Sequence, residues 1–211
     1  MNTLLIVNSS PRSNSVSRRL TRQVAEAWKS KNPVGHVIER DLTGDNLPFL
    51  TEAWIQASAT PAEQRTPQQR QTLALSDKLI EELLAADLIV VGAPMHNFSI
   101  SAPLKAWIDL ITRAGVTFSY GAKGPKGLIS GDKEVLVIVS RGGTYTEGSP
   151  ADFQVPYLRH MLAFIGLTEV TIIDVDKQAF GAEAAQQSID EALKQLSMTA
   201  ESRSKHVAAV A

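Results

Sequence analysis

The chain has 211 residues, no cysteine and a formal net charge of −1. That length suits one domain with a full core, and the neutral balance excludes a general attraction to nucleic acid or to an anionic membrane. Without cysteine there are no disulfides, no thiolate nucleophile and no cysteine-based metal or iron–sulfur site. The opening "MNTLLIVNSSPRSN" lacks the basic and long apolar regions of a signal peptide. No run reaches the ~18 apolar residues that cross a bilayer, so a cytoplasmic protein with no nucleic-acid or membrane partner is expected.

Five apolar, β-branched segments read as strands: Thr3–Val7, Val37–Glu39, Leu88–Val91, Val135–Val139 and Val170–Val175. Unbroken apolar runs of this length suit strands covered on both faces, as in a parallel sheet. Helix-period segments alternate with them. Val16, Leu20, Val24 and Trp28 form a stripe, with Arg18, Arg19 and Arg22 off it. Leu73, Leu79, Ile80, Leu83 and Leu84 form a second, and Leu104, Trp107, Ile108 and Ile111 a third. Leu158 to Ile165 gives a fourth, Ala182 to about Leu196 a last helix, and the chain beyond Ser202 is expected to fray. Two stretches interrupt the alternation. Leu47 to Pro67 is a long insertion with an exposed-looking Trp54, and Gly121 to Gly131 is a Gly-rich loop or hairpin. Strand–helix alternation throughout a single domain predicts an α/β doubly wound fold. Five strands suit the flavodoxin-like order, in which ligands bind at the carboxyl ends of the strands.

Three loops after strands would then share one edge. "NSSPRSNSVSRRL" places Ser9, Ser10, Ser13, Ser15 and Ser17 where a helix begins, with Arg12 adding charge, and a helix N-terminus is a ready anion site. Neither GxxxxGK[ST] nor GxGxxG is present, which points away from a triphosphate and towards a monophosphate. The alternative is an N-cap at Ser13 or Ser15 with a solvated turn. In "APMHNF", Asn97 can hydrogen-bond a planar heterocycle in two directions while Met95 and Phe98 pack on it. His96 is by default a satisfied histidine, since the four histidines show no metal-ligand spacing. "VIVSRGGTYTEGSP" adds Gly142 and Gly143, which let backbone approach a ligand, and Arg141, for which exposure to water is the commoner fate. Phosphate at the first loop and a flat polar ring between the other two is the layout of an FMN site, where N–H groups tune the ring.

At these residues the chain resembles the FMN-dependent NADH-azoreductases, flavodoxin-like homodimers related to the NAD(P)H:quinone reductases. The likeness spans nearly the whole chain and includes "SSPRSNSVS", "APMHNFSISAPLKAWIDLITRAGVTFSYGAKGPKGL", "SRGG" and "PYLRHMLAFIGLTEV". It implies bound FMN held by Ser10, by Ser15, Val16 and Ser17, by Met95, His96, Asn97 and Phe98, and by Ser140, Arg141, Gly142 and Gly143. A substrate pocket would use Phe118 or Tyr120 and, from a partner chain, Phe164. NADH or NADPH would be the donor. Quinones and aromatic azo compounds would be the acceptors, reduced in ping-pong order with no catalytic side chain, since the flavin carries the chemistry. The resemblance also implies a homodimer, to which Trp54, Trp107 and the Leu47–Pro67 insertion could add interface area. His96 departs from the tyrosine common at that position, which bears on substrate preference and on pH dependence. A flavodoxin-type electron carrier is the alternative, against which the charge of −1 argues. A receiver domain lacks its acidic cluster here.

Overall fold

The computed structural model describes residues 2–131, 133–146 and 148–210, with side chains as far as Thr199. The parallel sheet contains β1 (Thr3–Asn8), β2 (His36–Asp41), β3 (Leu88–Pro94), β6 (Glu134–Ser140) and β7 (Val170–Val175) in the order β2-β1-β3-β6-β7. Counted among themselves these five strands run 2-1-3-4-5. Alternate residues feed two cores. Leu4 and Ile6 of β1 pack with Leu88, Val90, Leu136 and Ile138 under α1 (Val16–Lys31) and α6 (Ala182–Val210). Leu5 and Val7 face the other way, with Ile89, Val91 and Val137, under α3 (Pro67–Ala85), α4 (Ala102–Ile111) and α5 (Val155–Ile165).

Local chemistry sets the helix starts. The Ser15 hydroxyl accepts from the Arg18 N–H and caps α1, and Thr66 with Gln69 forms a capping box on α3. The insertion is structured: α2 (Glu52–Ala59) and a 3₁₀ turn at Ala62–Gln64 fill it. Trp54 is therefore buried at 8 % exposure rather than exposed, because α2 lays it against the second core. Trp107 is core too, at 1 %. Leu84, by contrast, lies outside the core and is exposed. The Gly-rich stretch is a hairpin whose first strand starts earlier than expected, β4 (Phe118–Gly121) paired antiparallel with β5 (Gly124–Gly127). The last helix extends in backbone to Val210, beyond the Leu196 expected.

Candidate active site

Register brings the carboxyl ends of the strands together. Asn8 pairs with Asp41 and with Gly92, Pro94 pairs with Ser140, and Ser140 pairs with Val175. Loop 1 (residues 9–15), loop 2 (95–101) and loop 3 (141–154) therefore leave the same edge, beside the switch point between β1 and β3. They are also tied to one another. The Ser101 hydroxyl donates to the Ser9 carbonyl (3.1 Å), and Met95 N–H to the Ser140 carbonyl (2.9 Å). Phe153 N–H donates to the Phe98 carbonyl (3.1 Å), and Gln154 Nε2 to the Ala93 carbonyl (2.9 Å).

In loop 1 the serines divide by role. The Ser9 hydroxyl is spent on the Gly92 carbonyl (2.8 Å). The Ser10 and Ser15 hydroxyls accept from the Arg12 and Arg18 N–H groups (3.3 and 3.2 Å), which leaves the Ser10 proton available to donate. Ser15 and Ser17 Oγ atoms lie 3.4 Å apart. Val16 and Ser17 open α1, where N–H groups have no intrahelical acceptor. Ser13 and Arg12 are exposed.

Loop 2 closes on itself. His96 and Ser99 exchange backbone hydrogen bonds (2.9 and 3.0 Å) around Asn97 and Phe98, whose φ angles are +48° and +69°. Two positive φ values at the centre of a two-residue turn are the type I′ pattern. Asn tolerates it, whereas a bulky Phe there is held against its preference. Phe98 is 54 % exposed, and its neighbour Phe153 is 61 % exposed. The His96 and Asn97 side chains are exposed as well.

In loop 3 the carbonyls are captured from behind. Those of Arg141, Gly142 and Gly143 accept from the N–H groups of Gln178, Ala179 and Lys177 (3.1, 3.1 and 3.0 Å). A trans peptide points its N–H opposite to its C=O, so the N–H groups of Gly142, Gly143 and Thr144 face away from the 177–179 turn. Arg141 does not face water. At 2 % exposure its guanidinium reaches Asp152 (3.0 Å), Asp176 (2.6 Å) and Asp174, with Tyr145 stacked 5.2 Å away. Its side chain is thus spent on structure, because a buried charge must be paired. Burial pushes the Asp174 carboxyl up, against the pull of Arg141.

Beside the turn lies a cleft of about 900 Å³ between the N-terminal ends of α4 and α5. Pro11, Ile100, Pro103, Phe153 and Pro156 give it apolar walls, and His96, Asn97, Lys105, Asp152 and Tyr157 add polar groups. Burial raises the Tyr157 phenol. None of Phe118, Tyr120 and Phe164 lines it. Those three form one cluster instead: Phe118 meets Tyr120 edge-on at 5.4 Å and Phe164 at 4.6 Å. Sequence reasoning missed the cleft residues of α5 and the buried role of Arg18. The only signal for Arg18 was a basic residue beside a serine cluster. Among the described residues no His, Asp or Glu cluster could hold a metal, and no helix is long and apolar enough to cross a membrane.

A doubly wound 2-1-3-4-5 sheet with donors and an apolar cleft at its switch point defines a class of α/β proteins that bind flat phosphorylated ligands there. Comparison narrows the class. The profile of the flavodoxin-like fold matches residues 2–199. An FMN-dependent NADH:quinone oxidoreductase of Herminiimonas arsenicoxydans is 49% identical over 193 residues, which is 90% of this chain and 94% of that protein. One from Jannaschia sp. is 50% identical over 182 residues, 86% of this chain and 91% of that one. Among solved structures, an azoreductase from Bacillus anthracis str. Sterne superposes with a TM-score of 0.84 at 31% identity, covering 95% and 99% of the two chains. An FMN-dependent NADH-azoreductase from Bacillus anthracis str. Ames Ancestor, in complex with FMN, gives 0.82 at 25%, covering 94% and 100%. The chain belongs to the flavodoxin-like family and, within it, to the FMN-dependent NADH:quinone oxidoreductases and azoreductases.

Proposed function

We propose that this protein binds FMN, takes electrons from NADH or NADPH, and reduces quinones and aromatic azo compounds in ping-pong order. One observation carries the reading: the three carbonyls of loop 3 are tied back to the 177–179 turn, so that edge of the site offers only N–H groups. Such donors suit the carbonyl oxygens and nitrogens of a flavin's polar ring edge. Loop 1 suits the phosphate, since the Ser10 hydroxyl keeps a proton to give, the Ser15–Ser17 hydroxyl pair has one to share, and Val16 and Ser17 add open N–H groups at a helix N-terminus.

In this assignment Ser10, Ser15, Val16 and Ser17 hold the phosphate. Met95, His96, Asn97 and Phe98 grip one side of the ring. Ser140 and the N–H groups of Gly142 and Gly143 face another, with Arg141, whose own N–H donates to the Val175 carbonyl (3.0 Å), holding that stretch in place. When bound, FMN supplies two-electron transfer between nicotinamide and acceptor. The protein's part is to bind, orient and keep out water. An apolar wall with few polar groups accepts flat molecules of many kinds, one after another in the same place. A quinone takes up one electron pair and an azo bond two.

We further propose that the chain acts as a homodimer in the cytoplasm, with the Phe118–Tyr120–Phe164 cluster delivered as a unit to the partner's site. The cluster lies outside its own chain's cleft, and Tyr120 stands 75 % exposed at its tip. The test is a visible spectrum of the purified protein followed by anaerobic NADH. A yellow protein that bleaches, then recovers its colour on adding a quinone or an azo dye, is the expected result. A colourless protein that takes up no FMN would refute the reading.

A further inference from the structure

The conspicuous cation of loop 1 is Arg12, yet it is exposed and only its backbone is engaged. Arg18, one turn into α1, is the side chain that shapes the loop. It donates to the Ser10 carbonyl through Nε (3.0 Å) and Nη2 (2.7 Å). The same Nη2 reaches the Asp41 carboxylate (2.5 Å) and the Thr43 hydroxyl (3.0 Å) at the end of β2. The Thr43 hydroxyl in turn donates to Asp41 (2.8 Å). This is a bracket from the helix, through the loop, to the neighbouring strand.

A carbonyl oxygen repels a phosphate, and Ser10 sits among the loop's donors. Proline at position 11 removes the N–H that would otherwise share that peptide. The Ser10–Pro11 unit can only present an acceptor, and Arg18 occupies it. With Ser9 and Arg12 carbonyls also taken, by Ser101 and by Ser15 N–H, the Ser10 hydroxyl is held as a donor. The Arg18 charge is meanwhile matched by Asp41, and its side chain is only 15% exposed.

We infer that Arg18 is a positioning residue that makes the site discriminate phosphorylated from unphosphorylated flavin, acting through the Ser10 carbonyl rather than as a charge on the phosphate. The inference rests on the FMN reading above. Its test compares equilibrium dissociation constants for FMN and for riboflavin, by quenching of flavin fluorescence, in the wild type, Arg18→Lys and Arg18→Gln. The wild type should prefer FMN by about a hundredfold or more, as charge-assisted hydrogen bonds to a phosphate imply. Both variants should weaken FMN about tenfold while riboflavin changes less than about twofold. Lysine keeps the charge but cannot bridge Ser10, Asp41 and Thr43 with one planar fork. Thr43→Val, which keeps Arg18 but removes one of its partners, should move FMN alone and in the same direction, and it serves if an Arg18 variant fails to fold.

Parallel weakening of both flavins would overturn the inference, since Arg18 would then only support the fold. Full FMN affinity in Arg18→Lys with loss in Arg18→Gln would overturn it too, in favour of direct charge. A wild type that binds FMN and riboflavin equally would refute the phosphate assignment of loop 1, and the inference with it. A wild type that binds neither would refute the flavin reading itself.

Discussion

Phe118, at the start of the hairpin, and Phe164, near the end of α5, pack with ring centroids 4.6 Å apart and planes inclined at 49°. The contact is locked by backbone. A Cβ on Gly127 would lie 2.2 Å from the Gly166 nitrogen, so hairpin and helix end approach as only glycine allows. Gly166 itself closes α5 with φ +107°. The hairpin is fastened to α5, and its aromatics are presented as one rigid knob.

Phe164→Ala should therefore disturb Phe118 and Tyr120 together. We expect retention of FMN to be nearly unchanged and KM for a quinone or an azo dye to rise, with a stability loss of about 1–3 kcal/mol for a half-buried aromatic. Flavin titration beside steady-state kinetics checks this. Loss of flavin together with collapse of the fold would make Phe164 a core residue only.

Asn97 offers a way to separate turn geometry from ligand contact. Its φ of +48° suits glycine better than alanine. Asn97→Gly should keep stability within about 0.5 kcal/mol, while Asn97→Ala should cost about 1 kcal/mol more in a left-handed position. Both should lower FMN affinity if the carboxamide touches the ring. Unchanged affinity in Asn97→Gly would assign the turn's role to its backbone alone.

Arg141 holds loop 3, the end of β7 and the start of α5 at once, because Asp152 also accepts from the Gln154 and Val155 N–H groups (2.9 and 3.0 Å). Arg141→Met leaves three carboxylates without their cation. Breaking a buried pair from one side should cost about 3–5 kcal/mol, read as a shift in urea midpoint. Flavin should be released at lower denaturant than in the wild type, since the same cage carries Gly142 and Gly143.

Asp41 gives a pH signature. Its hydrogen bond from Arg18 holds its carboxyl down at about 2, against about 3.9 in an unfolded chain. A depressed pKa stabilises the fold above the unfolded value, and that contribution is lost as pH falls through the folded one. Wild type should be more stable than Asp41→Asn by a constant amount above pH ~4. The two should converge as pH approaches about 2. Denaturation midpoints across that range decide it, and a difference that persists at the acid end would count against the pairing.

The five strands of the parallel sheet and the helices α1, α3, α4, α5 and α6 were legible in the sequence, because apolar runs and 3.6-residue stripes are local patterns that burial on two faces demands. The sequence also determined that three donor-rich loops follow β1, β3 and β6, since Ser, Asn and Gly clusters interrupt those patterns. What each side chain was free to do followed from the three-dimensional packing. Arg141 and Arg18 read as surface cations in sequence, yet both are consumed by carboxylates from distant strands, which local pattern cannot bring near. Trp54 looked exposed because its insertion carries no long stripe, but α2 turns it inward. The pairing of Phe118 with Phe164 depends on two glycines meeting across a long sequence separation, and chain packing alone makes that contact.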